Sequence, residues 1–373
     1  MSQRQRARNR CRERLEALAG ARLNADEARL EAVAELRRVV RFERWCWPLS
    51  DPDSAVSVTG IGEVDFWPSL PRLVALEHRG DLTSKPRLLA GERPSVALSA
   101  ATGGDLARSR RWRECLGPYG IGDELMTLCR DRHGCWGSVE LMRDISDPPF
   151  DEDDQRLLAQ LAPTLGALLR RSVATPAAAG PTVAEAIPPG TVIVNADLAV
   201  TSWTPSFRTW LSELPASAPD PEALPPAAYE IAARALAPTE DVVGLPNRVR
   251  IRGASGRWSA IEGAALEGAG HGHVAITIRA ATDDEVFDVL CRVHDLTRRE
   301  RQLTALVLHG LSTEQIARAL HISPYTVKDH LKAIFDKTGI RSRRELISEF
   351  AARRPARPGV TARGASATPA PAS

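Results

Sequence analysis

The sequence predicts a multidomain chain: two α+β segments followed by an all-α unit of four helices. Three observations carry this. The 373 residues exceed a single ordinary core, since domains run to about 150 residues. Two composition breaks divide the chain. Residues 172–190 are rich in Pro, Ala and Gly and read as a linker, whereas 355–373 lack large apolar residues and read as a disordered tail. Alternating apolar patterns with turn signals fill the upstream segments, but residues 283–354 show 3.6-residue spacing punctuated by helix caps. The expected plan is a basic arm at 1–14, segments at 15–171 and 191–280, and a linker helix plus four-helix unit within 283–354.

Charge is unevenly spread. Residues 1–14 hold six Arg against one Glu, and 291–354 hold thirteen Lys/Arg against seven Asp/Glu. The tail adds two Arg, so residues 15–290 carry a net −11 within an overall +2. This asymmetry points to a polyanionic partner at the C-terminal end. No run of about 18 apolar residues is present, so no membrane helix is expected. The first residues, MSQRQRARNRCRER, lack the apolar stretch of a secretory leader. Six cysteines, at 11, 46, 115, 129, 135 and 291, form no CxxC and read as reduced thiols of a cytoplasmic protein.

The first segment opens with Asn24 and Glu27 spaced as a capping box, followed by an apolar stripe of Leu30, Val33, Ala34, Leu36 and Val40. A strand–turn–strand is expected around Asp51-Pro52-Asp53, and a second hairpin around Asp131 to Gly134. An amphipathic helix with an acidic first turn, Asp151 to Asp154, and a basic last turn closes the segment. With Asp123 to Arg143 as its closing hairpin, this layout resembles a GAF domain. The second segment has Val192, Val194, Leu198 and Val200 alternating about a turn at Asn195 to Asp197. A short helix with Phe207 and Trp210 follows, then two or three strands. It resembles a PAS-like sensor domain. The resemblances imply ligand sensing or dimerisation, with a small-molecule ligand of the first segment possible and no cofactor evident.

Capping signals mark the C-terminal helices. Thr297 stands with Glu300, Ser312 with Gln315, Ser342 with Glu345, and Ser323 precedes Pro324. Gly310 and Gly339 sit at helix ends. Helices are expected at 298–309, 313–320, 324–338 and 343–352. On the third, Val327, Leu331, Ile334 and Phe335 share one face, while Tyr325, Lys328, Asp329 and Lys332 share another. A helix with an open, partly cationic face, entered by a short turn from another helix, suits a DNA major groove.

This stretch closely resembles the LuxR-type (NarL-type) helix-turn-helix. The carriers are Leu296-Thr297, Arg299-Glu300, Gly310-Leu311-Ser312, Glu314 to Ala317, Ile322-Ser323, Thr326-Val327-Lys328, His330, Lys337, Gly339-Ile340 and Arg343. The resemblance implies that Lys328, Asp329 and Lys332 face base edges, and that Thr326 and Arg343 contact the DNA backbone or serve the fold. Asp329 departs from the usual apolar choice; a carboxylate there can accept from cytosine N4. The implied partners are double-stranded DNA, a second copy of the chain and RNA polymerase, without a membrane.

Other residues read structurally. Cys129 and Cys135 lack the tight spacing of metal ligands. His271 and His273 alternate on an expected strand without a third ligand. Trp45, Trp47, Trp67 and Trp136 read as core, with a ligand pocket as the alternative. No catalytic constellation is found, so an enzyme is not expected. The expected function is a sequence-specific transcriptional regulator controlled by its upstream segments. The competing readings are an adaptor acting through protein contacts and an enzyme-linked second-messenger sensor.

Overall fold

The computed structural model describes residues 3–21, 23–174, 187–215, 223–237, 244–253 and 255–351. Most of the expected linker and all of the expected tail lie outside them.

Helix α1 (Gln3–Gly20) buries Cys11, Leu15 and Ala19, one position per turn. The six arginines expected as a separate arm therefore belong to this helix. Arg4 and Arg8 lie 3.5–3.9 Å from Asp151, Asp153 and Asp154, which open α6 (Glu152–Ala174). Helix α2 (Ala25–Leu36) starts at the Asn24–Glu27 capping box, with both reciprocal bonds formed. Its buried stripe differs from the expected one. Ala28, Ala32, Val33 and Leu36 face inward, while Leu30 is exposed and Ala34 lies outward. Arg29 instead turns inward, where its guanidinium donates to Trp47 O at 2.7 Å. A satisfied hydrogen bond lets the charged residue take the buried position.

The first sheet is antiparallel, with strands β1 (Arg44–Ser50), β2 (Ser57–Gly62), β3 (Ser95–Ala97), β4 (Ile121–Asp131) and β5 (Gly134–Asp144) in the order β2-β1-β5-β4-β3. Both expected hairpins are present. Edge strand β3 went unanticipated, as did helices α3 (Leu70–Glu77), α4 (Lys85–Ala90) and α5 (Leu98–Thr102); they are too short for periodicity to declare them. One sheet face packs Trp45, Trp47, Trp136 and Leu141 against Leu158, Leu161 and Leu165 of α6. Three of the four tryptophans are thus core; Trp67 lines a cavity on the other face.

The second sheet repeats the strand order. Strands β6 (Gly190–Val194), β7 (Val200–Trp203), β8 (Arg248–Arg252), β9 (Trp258–Ala265) and β10 (Val274–Ala280) run antiparallel as β7-β6-β10-β9-β8. Helix α7 (Pro205–Glu213) buries Phe207 and Trp210. His271 and His273 lie in the turn before β10, not on a strand as expected, because Gly268 and Gly272 take left-handed backbone and delay the strand.

The two segments do not form separate cores. Helix α8 (Pro226–Leu236) buries Ala227, Ala228, Ile231, Ala232 and Ala233. Its small side chains permit close approach: a Cβ at Gly263 would stand 2.5 Å from Ile231 Cγ2. The same core takes in Val56, Val74 and Ala75 of the first segment. Polar ties follow the apolar ones. Lys85 Nζ lies 2.9 and 3.0 Å from the Glu230 carboxylate, and Arg234 donates to Ser54 O at 2.8 Å. Arg250 grips Asp51 through Nε at 2.8 Å and Nη2 at 2.9 Å.

Helix α9 (Asp283–Val293) leads into α10 (Arg298–Leu308), α11 (Thr313–Leu320), α12 (Pro324–Thr338) and α13 (Arg343–Ala351). The bounds of the last four match the sequence expectation within one residue. Among the described residues no helix is long and apolar enough to cross a membrane.

Candidate nucleic-acid interface

The C-terminal helices are locked from the cap inward. Thr297 with Glu300 and Ser312 with Gln315 form complete capping boxes on α10 and α11. At α13 the box is altered: Ser342 accepts from Glu345 N at 3.1 Å, but the Glu345 carboxylate takes Arg341 N at 2.9 Å. Helix α11 ends on His321 at φ 54°, a left-handed non-glycine residue that turns the chain into α12. Ser323 then caps α12 by accepting from Thr326 N at 3.1 Å, and Gly339 at φ 72° ends it.

Helix α12 is amphipathic as expected. Val327, Leu331 and Ile334 are buried among Leu303, Val307 and Ile316, with Phe335 partly buried beside them. The opposite face carries Tyr325, 74% exposed, and exposed Lys328, Asp329 and Lys332. Among the described residues the side chains of Lys328, Asp329 and Lys332 engage no other group in a hydrogen bond or ion pair. That leaves two ammonium groups and one carboxylate presented together to solvent.

The other two expected site residues make contacts within the unit. Thr326 is half-buried, its hydroxyl 2.9 Å from Ser323 Oγ in the first turn. Arg343 donates to Leu311 O, tying α13 to the turn between α10 and α11. Two braces were not read from the sequence. Lys337 Nζ reaches Glu300 at 2.7 Å and Asp295 O at 3.0 Å, and Arg299 donates to Leu320 O at 2.6 Å. Burial works to raise the Glu300 carboxyl, but the Lys337 ammonium and the Thr297 N–H hold it below the usual range. Partners 37 residues apart leave no local pattern to find.

Upstream, α9 is held by charge on several sides. Thr282 and Glu285 cap it, and Arg279 pairs with Glu285 at 2.9 Å. Asp288 receives Arg292 of its own helix at 3.0 Å, Arg250 of β8 at 3.1 Å and Arg301 of α10 at 3.4 Å. Beyond the helix, Asp295 pairs with Arg132 at 2.6 Å and His133 at 2.8 Å, in the β4–β5 turn. Arg170 of α6 donates to Val293 O at 2.9 Å. Both upstream segments therefore contact the run that positions the helical unit.

No group of three or more His, Cys, Asp and Glu placed to hold a metal occurs among the described residues. Cys129 and Cys135 are buried, and burial pushes both thiols above their ordinary range.

This arrangement, a short turn delivering a capped helix with an open cationic face, defines the C-terminal unit as a helix-turn-helix. Residues 294–350 match the model of the family described as bacterial regulatory proteins, luxR family, so this unit is a luxR-family domain. Relatives match over stretches of similar length. One, from Aeromonas salmonicida, is named provisionally as an HTH-type transcriptional regulator in the exeN 3′ region. It is 53% identical over 55 residues, 15% of this chain and 28% of that protein. The monoamine regulon transcriptional regulator of Klebsiella aerogenes is 49% identical over 53 residues, 14% of this chain and 23% of that one. The HTH-type transcriptional regulator MalT of Vibrio campbellii is 40% identical over 58 residues, 16% and 6% of the two chains. The likeness thus spans about a quarter or less of the length of each of these relatives.

Proposed function

We propose that the protein is a sequence-specific transcriptional regulator that reads double-stranded DNA with α12. The open Lys328–Asp329–Lys332 face carries this reading, on a helix whose other face is fixed by packing. Lys328 and Lys332 donate to guanine O6 and N7, and Asp329 accepts from cytosine N4. Tyr325 lies at the rim. In this reading Thr326 and Arg343 set the helix in place. The protein works as a homodimer on an inverted repeat and contacts RNA polymerase.

The upstream segments act as GAF-like and PAS-like control domains. Two five-stranded antiparallel sheets with packed helices support that reading. A signal received there shifts the equilibrium of α9, whose Asp288, with Asp295 just beyond the helix, holds the helical unit against both segments.

The test is selection of binding sites from random duplexes by the full chain, followed by affinity measurement across salt. A regulator selects a defined sequence and loses affinity steeply with salt. The double variant Lys328→Ala/Lys332→Ala loses that selection. Selection that survives the double change overturns the assignment of α12. Failure of the full chain to retain any duplex at low salt favours the adaptor reading.

A further inference from the structure

We propose that the cavity between β1, β2, α3 and α8 binds a small organic cation, an ammonium group carrying an apolar body. The inference stands apart from DNA reading by α12 and holds whether or not that reading does.

The cavity measures about 510 Å³, within the range of roughly 300–1,000 Å³ that holds small organic ligands. Strand alternation builds its floor. Residues whose neighbours Trp45, Trp47, Val139 and Leu141 enter the α6-side core place Cys46, Pro48 and Glu140 on the opposite face, with Cys46 directly across from Glu140. Leu73, Val74, Phe66 and Trp67 supply apolar and aromatic wall. Pro226 and Glu230 of α8 close it from the second segment.

The charge of the lining selects the ligand. Five carboxyl groups, Glu63, Asp65, Glu77, Glu140 and Glu230, face one ammonium, Lys85. Lys85 is already committed to Glu230 at 2.9 Å. At the rim, Glu63 is paired with Arg37 at 2.6 Å. Glu77 accepts the Lys85 backbone N–H at 2.8 Å and meets no cationic side chain within ion-pair distance among the described residues. Among the described residues Glu140 accepts a hydrogen bond from Ser138 Oγ alone, at 3.1 Å, and it lines the cavity. Burial first, then the neighbouring Glu124 and Glu77, push the Glu140 carboxyl up to about 8, against the opposing pull of Arg111 and Lys85. A cation placed against Glu140 and Glu77 relieves that crowding, whereas an anion worsens it. The aromatic wall suits the apolar part of an organic cation and adds attraction for the charge itself. A bare metal ion fits less well, because no group of three donors converges among the described residues.

Calorimetry on the full chain, at fixed pH and ionic strength, tests this with hexylammonium chloride, hexanol and sodium hexanoate. The expected result is saturable binding of hexylammonium, at least about tenfold tighter than hexanol, with none of hexanoate. Glu140→Gln, an uncharged near-isostere, reduces the hexylammonium affinity by about tenfold. Asp65→Asn, at the exposed rim, reduces it roughly twofold to threefold, as weakened steering does. A cavity-filling Leu73→Trp variant abolishes binding. Circular dichroism confirms that each variant retains the fold, and the rim variant keeps the test decisive if a buried change unfolds. Equal affinity for hexanol, preference for hexanoate, no saturable binding, or cation binding unaffected by all three variants overturns the proposal. DNA retention measured on the same protein without hexylammonium separates this outcome from failure of the DNA-reading proposal.

Discussion

Asp329 sits between two lysines on the open face of α12, with no side chain pairing with it among the described residues. On DNA such a carboxylate repels phosphate but discriminates among bases by accepting only from a donor. Asp329→Ala is expected to raise affinity for unselected duplex and to relax preference at one base pair, by about 1–3 kcal/mol. Parallel site selections with both proteins measure this; an unchanged consensus shows that Asp329 faces no base. At this scale the sequence was informative about residue type and uninformative about partners. Lys328, Asp329 and Lys332 stand where helical spacing placed them, because exposure follows from period alone. The Arg343 bond to Leu311 O and the Lys337 bond to Glu300 depend on how four helices fold back on one another.

The helices of the C-terminal unit were readable nearly to the residue, because each begins at a side chain that satisfies free N–H groups. Thr297→Ala removes the α10 cap and is expected to lower stability by about 1 kcal/mol, measured from urea-unfolding midpoints. Glu285 offers a pH readout for α9. Its carboxyl is held down to about 2, chiefly by Arg279 and then by the Thr282 N–H. A folded-state pKa below the usual 4.5 means that its stabilising contribution is complete above pH 4.5. That contribution fades as pH falls from there toward 2. Glu285→Gln therefore lowers the unfolding midpoint at pH 6 and narrows its distance from the parent at pH 3. A constant difference across that window would exclude the linkage. The short elements α3, α4, α5 and β3 escaped sequence reading for a different reason. Three to eight residues show no decisive period, and their positions are set by the sheet they join or cover.

At the scale of the whole molecule, composition suggested three units joined by linkers, and packing joins them more closely. One core runs from Trp136 and Leu165 through Val289 and Cys291 to Leu303, Val327 and Ile334. Another joins Val56 and Val74 to Ile231 and Ile276. Alanines on α8 gave no sign of this in the sequence, since a small residue reads alike whether it meets solvent, one sheet or two. Lys85 is the critical ion at that junction, only 3% exposed against an equally buried Glu230. Lys85→Met should destabilise the full chain by about 3 kcal/mol, because it takes the nearest cation from a buried carboxylate and leaves it Arg234 at 3.4 Å, His78 at 3.6 Å and the Ser57 N–H. Guanidinium unfolding followed by tryptophan fluorescence measures the loss. Lys85→Met/Glu230→Leu should recover much of it, since removing both charges spares the remaining desolvation penalty.

The sharing of α8 bears on how such a protein can be recombined. Residues 187–280 look exchangeable in the sequence, bounded by a proline-rich stretch on one side and a capped helix on the other. Yet this piece brings the alanine face that covers Val56 and Val74, the Glu230 that neutralises Lys85, and the Arg250 that answers Asp51. A chimera that replaces it with another sensor would leave a buried lysine and a buried aspartate of the first segment without their ion-pair partners. The C-terminal unit is the opposite case. Among the described residues the face proposed to read DNA makes no hydrogen bond or ion pair with the upstream segments, so under that proposal the unit can be transplanted with Lys328, Asp329 and Lys332 intact, provided the recipient supplies a surface for α9.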